Sequence, residues 1–151
     1  MSNFAGVTFA NQHIAPEDDA AVRRAIFADG ILTGCSLAFS GSTLTMESGY
    51  LMLCGRQIRH ADTQSWDTSG HTSGFARLLL TIDLTHTATE EEFNQVADTL
   101  EYADTLDNFA DLVQEDINAS GTKYQVQVCV LSLTSGGING IIDPLTRIDS
   151  Q

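Results

Sequence analysis

The segment "TKYQVQVCVLSL", residues 122–133, alternates Tyr124, Val126, Val128 and Val130 with Gln125, Gln127, Cys129 and Leu131. A two-residue period puts successive side chains on opposite faces of an extended chain, so this run is a strand with one apolar face and a second that turns apolar toward its end. "FARLLLTIDL", residues 75–84, alternates only weakly and is apolar on both faces through Leu78, Leu79 and Leu80, which is expected of a central strand. These two segments set the chain down as sheet-rich.

Shorter segments agree. "ILTGCSLAF", "STLTMESG" and "YLMLCGRQIRH" follow one another between residues 31 and 60, with "SGS" and "ESG" as turn punctuation, and predict a three-stranded meander. "INGIIDPL" predicts a last short strand stopped by Pro144. Ahead of them, "APEDDAAVRRAIFADGI" carries helix signals: Pro16 in the first turn, acids at 17 to 19 near the positive end of the dipole, and Gly30 as the stop. A helix over about residues 16–28 is expected, with Ala21, Val22, Ala25 and Ile26 on its apolar face.

Residues 90–113 are ambiguous between strand and helix. Phe93, Val96, Leu100, Ala103, Leu106, Phe109 and Val113 recur at three- and four-residue steps and lean toward a helix. Val96, Leu100 and Tyr102 equally suit one face of a strand, and Thr99 and Tyr102 favour it.

With 151 residues, 42% hydrophobic and 18% charged, the chain has globular composition and the size of one core. Its charge is lopsided: 20 Asp and Glu against 7 Lys and Arg, a formal net of -13, with 11 of the acids and no Lys or Arg between residues 78 and 122. Such a surface repels phosphate backbones and anionic lipid heads, so neither nucleic-acid binding nor membrane binding is expected. No apolar run approaches the roughly 20 residues of a membrane-spanning helix, and "MSNFAGVTFANQ" lacks the basic start and apolar core of a signal peptide.

Cys35, Cys54 and Cys129 are far apart, with no CxxC pair, and sit among apolar or small residues; buried free thiols are expected. His13, His60, His71 and His86 show no helical metal-pair spacing, although His60 with Asp62, or His71 with Asp67, could meet around a loop. The acidic series Asp98, Glu101, Asp104, Asp107, Asp111, Glu115 and Asp116 lacks the alternate ligands and central glycine of a calcium loop and reads as a solvated face. No G-x-S-x-G elbow occurs, and "TSGGINGI" has neither the following helix nor the lysine of a phosphate cradle. Neither an enzyme nor a cofactor is expected. In "GYLMLCGRQIRH", Cys54 reads as a core thiol inside a strand. Gly55 reads as a bulge or close backbone approach where that strand stops being buried on both faces, and Arg56 and Arg59 as each meeting a carboxylate. The polar loop "TQSWDTSGHTSG" offers Trp66 as a surface for stacking on a sugar ring, flanked by Asp67 and His71, and stands as a possible carbohydrate- or receptor-binding loop.

"EDDAAVRRAIFADGILTGCSLAFSGSTLTMESGYLMLCGRQIR", "GFARLLLTIDLT" and "LVQEDINASGTKYQVQVCVLSLTSGGINGII", in that order, resemble small structural proteins of tailed bacteriophages and prophages, from the baseplate or distal tail near the receptor-binding apparatus. "GYLMLCGR", "QEDIN" and "SGGINGI" carry the resemblance, over about residues 18–142. It implies a mainly β protein: an antiparallel β-sandwich or barrel over residues 31–151, preceded by an arm and one short helix over 1–30, the whole a single folding unit. It also implies that residues 96–103 form a strand and that a short turn of helix lies near Phe109 to Val113. Gly55, Arg56, Asp116 and Asn118 match as structural or interface positions, with no catalytic residue among them. The implied place is the virion, the implied role non-enzymatic assembly, and the implied partners are further copies in a trimer or larger ring and adjacent tail proteins.

Overall fold

The computed structural model describes residues 16–26, 28–86 and 95–148. The protein is mainly β, with antiparallel sheets packed in a sandwich-like arrangement behind one short helix, α1 (Pro16–Ile26).

A meander of three ribbons forms, but with other bounds than expected: "YLMLCGRQIRH" is two strands joined by a turn at Cys54–Gly55, "ESG" is a bend inside a ribbon and not a turn between strands, and each ribbon is bent. The first is β1 (Gly30–Gly34) running into β2 (Leu37–Ser40); the second returns as β3 (Thr43–Met46) and β4 (Gly49–Leu53); the third is β5 (Arg56–His60) and β6 (Gln64–Asp67). Their halves pair as two separate three-stranded sheets, β1-β4-β5 and β2-β3-β6. At the bend of the first ribbon Gly34 and Cys35 both take positive φ, +66° and +53°. Backbone bonds from Cys35 N to Ser48 O (3.0 Å) and from Glu47 N to Ser36 O (3.0 Å) carry the first two ribbons round the corner together.

The opposing sheet has the order β10-β9-β7-β8, made of β7 (Phe75–Asp83), β8 (Val96–Ala103), β9 (Lys123–Thr134) and β10 (Gly137–Ile142). β7 is central, paired on both sides. Its register with β9 slips once: Leu78 faces Cys129 and Leu79 faces Gln127, so Val128 is the extra residue of a bulge. The bulge inverts the inside–outside parity. Before it Tyr124, Val126 and Val128 point into the core, and after it Leu131 and Leu133 do. This phase change is why the second face of the strand turns apolar.

The main core joins Leu44, Met46, Leu51 and Leu53 from the bent ribbons to Leu78, Ile82, Val126 and Leu131 from the opposing sheet. Arg77, Leu79 and Val130 are also buried, but on the outer face of that sheet, where residues 104–115 cross as a strap. The structure settles residues 96–103 as strand: eight consecutive residues of β8 pair with β7 without a slip. Tertiary pairing overrides the helical spacing there. The turn of helix expected near Phe109 to Val113 is instead a 3₁₀ turn at Leu106–Asn108, and Phe109 is already extended. The strap must lie flat for Phe109 to reach the Arg77 guanidinium, 4.7 Å from its ring centroid.

Two expectations about side-chain direction fail. In α1, Ala20 is buried while Ala21, Val22 and Ala25 are exposed, Val22 by 60%. The helix is seated by a small residue, Ala20, against the Gly55 backbone, and the exposed Val22 is not what holds it; the Ile26 side chain lies outside the described residues. Part of the polar loop after residue 62 is strand, since β6 pairs with β3 from Gln64 to Asp67 and places Trp66 opposite Leu44.

Candidate functional site

Gly55, Arg56, Asp116 and Asn118 come together around one hairpin. β4 and β5 pair up to Leu53 and Arg56, leaving Cys54 and Gly55 as a two-residue connection with φ of +52° and +76°. Positive φ at both central positions is the type I′ geometry, whose twist matches that of the flanking strands. Cys54 therefore lies in a turn, not inside a strand as its apolar neighbours imply. Gly55 is required twice over: its φ disfavours a side chain, and a Cβ there would overlap the Ala20 carbonyl oxygen of α1.

The turn is then tied down from three directions. Asp29 accepts the Cys54 amide (2.7 Å) on Oδ1 and the Tyr124 hydroxyl (2.5 Å) on Oδ2. Asn118 donates from Nδ2 to the Cys54 carbonyl (2.8 Å) and accepts at Oδ1 from Arg56 Nε (3.2 Å). Arg56 Nη2 also donates to the Ile117 carbonyl (3.2 Å). From α1, Arg24 Nη1 donates to the Cys54 sulfur (2.6 Å), lies 3.7 Å from Asp116 Oδ1 and stands over the Tyr124 ring. Asp116 in turn accepts the Asn118 amide (3.1 Å), which fixes the 116–118 turn. Both backbone polar groups of a fully buried residue are thus satisfied from outside the hairpin, as burial requires.

The groups of this cluster are bonded to one another. Burial pushes the Cys54 thiol above its ordinary pKa, with Arg24 opposing, so the sulfur is a protonated, enclosed acceptor. Burial, reinforced by the Asp29 carboxylate, holds the Tyr124 phenol protonated far above its usual range. Arg56 meets an amide and a carbonyl rather than the expected carboxylate, because Asn118 stands where the hairpin needs both a donor and an acceptor. Arg59 is exposed and makes no ion pair among the described residues. All three cysteines are free and buried.

Trp66 stands apart from Asp67 and His71, which both lie within reach of Tyr102. The half-buried Trp66 packs against the core, and its indole Nε1 donates to Asp98 Oδ2 (2.8 Å), which also accepts from Gln64 Nε2 (3.2 Å). Asp67 accepts the Ser69 amide (2.9 Å) and hydroxyl (2.8 Å), bonds that hold its carboxyl below the usual range. His71 stacks on Tyr102, ring centroids 3.5 Å apart and planes 7° from parallel. Asp98 and Tyr102 lie four residues apart on β8, so the aromatic groups serve different places on that strand. His60 bonds the Glu47 carbonyl (2.8 Å) and Gln64 (3.3 Å). Neither a His60–Asp62 nor a His71–Asp67 bond forms. No set of three His, Cys, Asp or Glu among the described residues is arranged to hold a metal ion, and His13 lies outside them.

Sequence reasoning misses Arg24, Asp29 and Tyr124, and also Arg77. The Arg77 side chain is almost fully buried and donates twice to Glu101 Oε1 (3.1 and 2.7 Å) and once to the Ala110 carbonyl (3.0 Å). A lone arginine in a run otherwise apolar on both faces is the available signal. A groove runs between β5 and β8, each the edge of its sheet. Two cavities of about 260 and 160 Å³ share Ile58 and Val96 there. No protein-family model matches the chain, and no curated protein matches it.

Proposed function

We propose that this protein is a non-enzymatic structural component of a tailed-phage virion, placed in the baseplate or tail tip, where it joins copies of itself and adjacent tail proteins. The resemblance of the sequence supplies the setting, and one observation carries the mode of action. β8 is an edge strand of eight residues, paired regularly with β7 on one side, and among the described residues no backbone group bonds its other side. It contains no Lys, Pro or bulge, and of the devices that keep an edge from pairing it has only the charges of Asp98 and Glu101, which are engaged within the fold by Trp66 and Gln64 and by Arg77. An edge left in that state favours association. The residues around Cys54 tie the hairpin, α1 and the 116–118 turn together.

The test is made on particles. Antibody to the chain labels the tail tip of negatively stained virions, and particles built without the chain have defective tails. Complete, infectious particles from a deletion strain, unlabelled by the antibody, would sink the proposal.

A further inference from the structure

Charge is unevenly placed on this fold. Four of the seven Lys and Arg residues, Arg23, Arg24, Arg56 and Arg59, belong to α1 and β5. Arg23, Arg56 and Arg59 line the two cavities of the groove between β5 and β8, whose floor is apolar: Ile58, Leu78, Leu80 and Val96. On the other face of the β7–β9 sheet runs the strap, with Asp104, Asp107 and Asp111 exposed and Leu106 projecting between the first two, 45% exposed. Strand alternation guarantees the separation. Leu78 and Leu80 point to the groove while Arg77 points to the strap.

We infer that the groove receives the strap of a second copy, Leu106 entering the apolar floor while Asp107 faces Arg59. This deepens the assembly role proposed above and rests on it. Three observations select this occupant. The groove has an apolar floor with Arg23, Arg56 and Arg59 along it, and its one carboxylate, Asp98, is already bonded by Trp66 and Gln64, while the strap is an exposed apolar side chain between two carboxylates, so polarity and charge are complementary. Arg59 is exposed without an ion pair among the described residues, and Asp107 is exposed in the 3₁₀ turn, so neither charge must leave an internal partner. The chain as a whole carries -13, so random contact between copies is repulsive and only a contact that meets this cationic strip is favoured. Because groove and strap lie on opposite faces of one sheet, a pair of copies does not make both reciprocal contacts at once, and the contact is head-to-tail. It generates a ring where the rotation closes and cannot produce an isolated two-fold dimer.

Sedimentation equilibrium of the full chain tests this with Arg59→Asp, Asp107→Arg and the double variant, neither residue being part of the Cys54 or Arg77 clusters. Each single reversal places like charges together and is expected to weaken self-association at least about tenfold; the double variant restores it to within about threefold of the parent. Raising the salt concentration weakens the parent assembly. If the parent assembles and the single variants assemble equally well, or the double variant is no better than the worse single, this interface is wrong while the assembly role stands. If the parent is strictly monomeric at the highest soluble concentration, the assembly role fails and the interface falls with it.

Discussion

Replacing Gly55 by alanine separates two costs that usually arrive together, because the fold holds its own control. Gly41 has φ of +58° and no atom within 4 Å of where an added methyl would stand, whereas Gly55 has φ of +76° and the Ala20 carbonyl of α1 in the way. Gly41→Ala should cost only the left-handed penalty, about 1 kcal/mol. Gly55→Ala pays that and must also lift α1 from the hairpin. The displaced helix loses burial of the Ala20 methyl, about 0.8 kcal/mol. It also loses the Arg24 hydrogen bond to Cys54, about 1 kcal/mol, and the Arg24 contact with the Tyr124 ring, about 0.5–1 kcal/mol. The expected difference between the two variants is therefore about 2–3 kcal/mol. With a urea m-value of about 2 kcal/mol/M, that is a midpoint separation of about 1–1.5 M. Hydrogen exchange on Gly55→Ala should show the α1 amides losing protection while β7 and β9 keep theirs. Equal midpoints for the two variants would mean that the helix is not seated on this turn.

Other perturbations follow from the buried groups. Arg77→Met leaves Glu101 and the Ala110 carbonyl without their donor and should cost about 3 kcal/mol by urea titration; a loss below about 1 kcal/mol would show the pair to be dispensable. The three thiols should resist a disulfide reagent at pH 8 in the native protein and react in full when it is unfolded, since burial raises each thiol pKa, that of Cys129 to about 12; rapid labelling of any one in the folded state would contradict their enclosure. Stability should fall as pH rises above about 9, because the unfolded chain ionises its thiols and Tyr124 at their ordinary values of about 8.5 and 10 while the folded chain holds them protonated. Tyr124→Phe should flatten that alkaline limb. On the acid side, backbone donors lower Asp67 and Glu115, and the Thr85 hydroxyl and amide lower Asp83, so their contribution is present above about pH 4 and is lost as pH falls through the depressed values.

What can be seen in the sequence is what local periodicity encodes. The central strand at Phe75–Asp83 and the long strand at Lys123–Thr134 are written in alternation and in apolar runs, and both stand as expected. Residues 96–103 show the limit of that signal, since their spacing suits a helix and only pairing with β7 decides for strand. The bends of the meander are hidden because φ at Cys35 is set by the corner, not by a residue type that announces it. Cys54 is misread for the same reason: a cysteine in a type I′ turn gives no turn signal beyond the glycine after it. At the site, the positions marked by resemblance do cluster. Their partners Arg24, Asp29 and Tyr124 lie 30, 25 and 70 residues from Cys54, beyond the reach of any local pattern.

Those long separations bear on how the fold comes apart. Bonds from Cys54 to Asn118 and from Asp29 to Tyr124 close loops of 64 and 95 residues. The neighbouring ribbons of the meander, in contrast, meet across short turns. Closures of that length are made after local hairpins have formed, so the ties around the turn belong to the native side of the folding barrier. Interactions absent from the transition state act on the rate of unfolding rather than of folding. Weakening this cluster should leave refolding speed nearly unchanged and shorten the lifetime of the folded chain. Its most direct product is persistence, a folded state that opens slowly under load or dilution.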